Sequence, residues 1–68
     1  MRYEITIERV DYGAQWGVGM RVERGGKIHR HTIWIEDGTM TEGEAAQAAV
    51  PQLFKWALDQ SIQAEMAA

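Results

Sequence analysis

Cysteine is absent from this 68-residue chain, which excludes disulfides and thiolate metal centres. The chain is therefore compatible with a reducing cytoplasm. Serine occurs once, at Ser61 in a helical pattern, while both histidines fall in a strand pattern. That leaves little for nucleophilic catalysis, and no pair of carboxylates sits in an evident cleft. No apolar run approaches the roughly 20 residues of a membrane span. The first residues enter a strand pattern at once, so no signal peptide is expected. Basic residues are outnumbered, 7 against 10 acidic ones, for a net charge of −3. Such a balance disfavours generic nucleic-acid binding, which is driven by phosphate neutralisation. These absences point to a non-enzymatic protein without a cofactor.

The length allows one domain. A chain this short buries only about 60% of the surface its unfolded form exposes, so its core is marginal. Self-association is one way such domains add core.

The organising stretch is residues 16–36. Trp16, Val18, Met20 and Val22 are apolar at every second position, with Gly17, Gly19, Arg21 and Glu23 between them. A period of two marks a half-buried strand. Gly25-Gly26 supplies a tight two-residue turn. Pairing Arg24 with Lys27 then sets Val22 against His29, Met20 against His31, Val18 against Ile33 and Trp16 against Ile35. The other face carries Glu23 beside Ile28, Arg21 beside Arg30, Gly19 beside Thr32 and Gly17 beside Trp34. A slip of one residue would put Ile33 and Ile35 in water, so the register is strongly specified.

Ahead of this hairpin, Met1, Tyr3, Ile5 and Ile7 alternate with Arg2, Glu4, Thr6 and Glu8, predicting a strand from Arg2 to Val10. Parity reverses at Arg9 and Val10, which marks a bulge or the end of the strand. Residues 11–15 form a loop turning at Tyr12-Gly13. So short a connection makes the first two strands antiparallel neighbours, in a meander of order 1-2-3.

The third strand spans residues 27 to about 36 and is broken by Asp37-Gly38. Thr41-Glu42-Gly43-Glu44 is a capping-box pattern, and a helix follows to about residue 66. Ala46, Val50, Leu53, Phe54, Ala57, Leu58 and Ser61 share its expected buried face; Gln52, Lys55, Asp59 and Gln63 share the other. Ala45, Ala46, Ala48 and Ala49 allow close approach to a sheet. Pro51 is expected to kink the helix or to split it in two. The fold class is α+β: a three-stranded antiparallel meander followed by one helix packed on one face. That helix is expected to cover Tyr3, Ile5, Ile7, Trp16, Val18, Met20, Val22, Ile33 and Ile35, leaving the second face to solvent or to a partner.

His29 and His31 share one face at a spacing able to chelate zinc or copper, with Glu65 or Met66 as a third ligand. The plainer reading makes them rim histidines, partly buried near the negative end of the helix, with a pH-dependent stability. Gly17 and Gly19 resemble half of a dinucleotide fingerprint, but they sit inside a strand, which excludes that use. Trp34, flanked by Arg21, Arg30 and Thr32 and facing Gly17 and Gly19, has the composition of a binding hot spot. Its plainer role is to shield the two glycines.

The pattern of three strands and a helix, with Trp34-Ile35, Gly38-Thr39-Met40-Thr41, Glu44-Ala45-Ala46 and Ala48-Ala49, resembles two DNA-binding families. These are the plant ethylene-response-factor type domain and the arm-binding domain of tyrosine recombinases. The resemblance spans residues 16–49. It implies a sheet face entering the major groove through Arg21, Arg30 and Trp34, with Arg2. Glu4, Glu8, Glu23 and Glu36 share that face and repel phosphate. The favoured expectation is a protein partner or a second copy of the chain bound around Trp34. Size and acidity place the chain, by analogy, among phage or mobile-element accessory factors that block a host protein.

Overall fold

The computed structural model describes the backbone of residues 2–67 and the side chains of residues 2–59. Its elements are β1 (Arg2–Val10), β2 (Gln15–Arg24), β3 (Lys27–Ile35) and α1 (Glu42–Ala67). The strands form one antiparallel sheet in the order β1-β2-β3. The β2–β3 register is the one parity demands, from Arg24 against Lys27 to Trp16 against Ile35. Gly25 and Gly26 make the turn at φ 58° and 77°. Both angles are positive, as the turn that matches the twist of a two-residue hairpin requires.

The parity reversal at Arg9 marks the strand's end and not a bulge. Pairing continues without a break through Arg9 with Trp16 and Val10 with Gln15. Arg9 therefore points to the helix side, where its guanidinium lies 4.5 Å from the Trp16 ring centroid. The loop after β1 is left-handed at three successive residues, Asp11, Tyr12 and Gly13. Tyr12 carries its side chain fully exposed at this tip.

The core lies between β2 and α1. Trp16, Val18, Met20 and Val22 meet Ala45, Ala49, Leu53 and Ala57. The buried stripe of the helix thus differs from the expected one: Ala46 and Val50 are only half-buried, and Phe54 and Leu58 are exposed. Alanines at the contact let the helix approach the sheet, and the larger Phe54 and Leu58 go to its flank. There Phe54 meets Tyr3 edge-on, with centroids 5.2 Å apart. On the β3 side, half-buried Trp56 stacks on His31 at 5.2 Å. The helix lies over β2 and β3, so β1 is covered less than expected. Tyr3 stays 55% exposed, and Ile5 and Ile7 are half-buried. The side chains of Met1, Ser61 and Gln63 lie outside the described residues.

The capping box forms as its sequence implies. The Glu44 amide donates to Thr41 Oγ1 at 3.2 Å, and the Thr41 amide donates to Glu44 Oε1 at 3.1 Å. Thr41→Ala is expected to cost about 1 kcal/mol. In a domain of this size that is a drop of about 4–8 °C in Tm, read by thermal unfolding followed at 222 nm. Pro51 does not split the helix, which runs unbroken through it. The proline is exposed, so its ring lies off the packed face.

The loop between β3 and α1 locks onto the β1–β2 loop. Gly38 packs against the Gly13 carbonyl and lies where a Cβ would come 3.1 Å from Ala14 Cα. Beside it, the Met40 carbonyl accepts from Trp16 Nε1 at 3.0 Å and from Arg9 Nη2 at 3.3 Å. The Asp37 carboxylate accepts from the Thr39 hydroxyl and the Thr39 amide, which hold its pKa below the ordinary value. These bonds persist at neutral pH and are lost as pH falls through the lowered pKa. Among the described residues no helix is long and apolar enough to cross a membrane.

Candidate functional site

The face of the sheet turned away from α1 carries all six residues singled out around Trp34. The two registers align them in rows across the strands. Glu8, Gly17 and Trp34 form one row, Thr6, Gly19 and Thr32 the next, and Glu4, Arg21 and Arg30 the third. Because the middle strand has no side chain at Gly17 or Gly19, the rows sink at their centre. The result is an open trough of about 380 Å³, walled by β1 on one side and β3 on the other.

Trp34 both shields and projects. Its ring lies over Gly17, so close that a Cβ there would sit 2.8 Å from Trp34 Cζ3, and Gly17 is buried. The indole remains 58% exposed. Gly19 lies under Thr32 instead, whose Oγ1 would be 3.4 Å from an added Cβ. So the tryptophan covers one glycine and not both. Seating on Gly17 restricts the ring before any partner arrives, which reduces the ordering cost of binding.

The charges on this face are partly spent within the chain. Arg21 reaches Glu4 at 3.8 Å and Glu23 at 3.9 Å. Exposed pairs of this kind are worth about 0–1 kcal/mol. Arg30 and Glu8 form no ion pair among the described residues, so their charges face outward on opposite walls. The β1 wall of Glu4, Thr6 and Glu8 was not singled out from sequence as part of the site. Its signal was there, since antiparallel pairing of β1 with β2 brings those three residues beside Arg21, Gly19 and Gly17. Tyr12 lies in the turn expected for it, but nothing in a single tyrosine announces its left-handed backbone.

The histidines are not brought together with other ligands. His29 is half-buried, as expected, whereas His31 is exposed and engaged by Trp56. Among the described residues no group of three or more His, Cys, Asp or Glu is placed to hold a metal ion. Glu65 and Met66, offered as third ligands, have side chains outside the described residues. The site thus consists of a seated aromatic ring, a bare backbone trough and two unspent charges. No protein-family model, curated protein or solved structure matches the chain.

Proposed function

We propose that the protein is a non-enzymatic interaction module that binds another protein through the trough face, with Trp34 as the anchor. The observation that carries this is the indole, 58% exposed yet seated on Gly17. A large ring that is restricted, uncovered and beside a bare slot meets the requirements of a hot spot. Glu8 and Arg30 flank it with opposite charges, which would orient a polar rim on the partner. A protein surface suits this mixed face better than DNA, because Glu4, Glu8 and Glu23 share it and repel phosphate. Size, acidity and the lack of cysteine fit a cytoplasmic accessory factor, of phage or mobile-element type, that occludes a host protein.

Two variants test the anchor. Trp34→Ala should leave the fold intact and weaken partner binding by about 30-fold or more, the loss of a hot spot. Gly17→Ala should act the same way, since its new Cβ strikes the free end of the Trp34 ring and must push it aside. Binding is read by cross-linked pull-down, then by calorimetry on the recovered partner, with Lys55→Ala as a distant control. Unchanged binding in both variants would remove the trough face from consideration. A salt-sensitive DNA mobility shift abolished by substituting Arg21 and Arg30 would replace this reading with a DNA-binding one.

A further inference from the structure

A second surface lies on the other side of the sheet, at the edge strand β1. Edge strands in natural proteins are commonly blunted by bulges, proline, lysine or a covering element. β1 carries charges at Arg2, Glu4, Glu8 and Arg9 but no bulge, proline or lysine: it runs nine residues, RYEITIERV, with an unbroken register. Among the described residues nothing pairs with its outer backbone edge. Alongside it stand three of the six exposed large apolar side chains among the described residues, Tyr3, Phe54 and Leu58, the last 60% exposed. Phe54 already packs on Tyr3, and Leu58 follows one helical turn later on the same side. Half-buried Ile5 and Ile7 continue this strip down the strand.

We infer that β1 pairs antiparallel with β1 of a second copy, about a two-fold axis through Ile5. The charges select both the occupant and the register. With Ile5 opposite Ile5, Tyr3 meets Ile7 of the second copy, Glu4 meets Thr6, and Arg2 meets Glu8. Arg2 and Glu8 have no ion pair within the chain among the described residues, and each finds its opposite across this axis. Sliding by two residues either way sets Glu4 against Glu4 or Glu4 against Glu8, and like charges directly opposite are unfavourable. Odd steps would turn apolar side chains to the polar face. The β3 edge is less suited, because Trp56 over His31 covers its helix side. Pairing at β1 makes one six-stranded sheet with both helices on one face. The two Trp34 troughs then open on the other face, side by side.

Glu8 belongs to both surfaces, so Arg2→Glu, outside the trough lining, and Trp34→Ala, away from the β1 edge, separate this inference from the role given to Trp34. Sedimentation equilibrium over a concentration series should show a monomer–dimer equilibrium. Arg2→Glu and Glu8→Arg should each weaken the dimer about tenfold, because each change places two like-charged pairs across the axis. The double variant should restore it. Within one chain residues 2 and 8 of a strand are about 20 Å apart, so only pairing between copies explains a rescue. Trp34→Ala should leave the dimer unchanged. A species that stays monomeric throughout, a dimer indifferent to both reversals, a double variant no better than the singles, or a dimer lost with Trp34→Ala each overturns the assignment.

Discussion

Replacing Leu53 by alanine should lower the free energy of unfolding by about 3–4 kcal/mol. Leu53 is fully buried, and the other fully packed residues of α1 among those described are alanines at 45, 49 and 57. The helix thus holds to the sheet through one large side chain set among small ones. The alanine stripe permits close approach, and close approach leaves little slack for the sheet to refill a Leu53 cavity. A domain of this length has about 3–10 kcal/mol of stability in total. Losing a third or more of it should appear as a large fall in the urea midpoint with an unchanged slope. A midpoint within error of the parent would mean that the helix is held by its flanks, Tyr3 with Phe54 and His31 with Trp56, and not by its centre.

Gly38→Ala should be nearly as damaging, at about 2–4 kcal/mol, from overpacking together with lost hydrogen bonds. The added Cβ would collide with the Gly13 carbonyl and crowd Ala14 Cα. Both obstacles are backbone, so no rotamer change relieves them and the two loops must part. Parting them draws the Met40 carbonyl away from the Trp16 indole and from Arg9. Faster hydrogen exchange at the Trp16 indole N–H should therefore accompany the stability loss. Gly43→Ala is the control: nothing lies within 4 Å of its would-be Cβ, and alanine is the better helix former. If both variants behave alike, the loops are not locked through Gly38.

What was legible in the sequence was whatever repeats with a fixed period. Two-residue alternation and the Gly25-Gly26 turn determine the hairpin register pair by pair, and the register alone assembles the Trp34 trough. The capping box is local and was equally readable. The rotation of the helix was not, because Phe54 and Leu58 are as apolar as Leu53, and a hydrophobic pattern cannot tell a packed stripe from its neighbour. Close packing against β2 favours alanine over bulk, which reverses the usual weighting of large residues. Trp56 went unassigned for the same reason, since its place depends on His31 across the gap. The interlock of Gly38 with Gly13 joins loops far apart in sequence and leaves no periodic trace.

The meander also bears on how quickly the chain finds its shape. Each strand lies beside the strand that precedes or follows it, and the helix folds back on the two strands before it. No distant ends must meet before the first contacts form. The β2–β3 ribbon closes around two glycines and can nucleate in about 1–10 μs. Adding β1 extends that nucleus by a second local hairpin, and docking α1 then closes the long contacts such as Tyr3 with Phe54, so complete folding is expected on the order of milliseconds. A ribbon formed this early would also define the seat for Trp34 well before the helix docks.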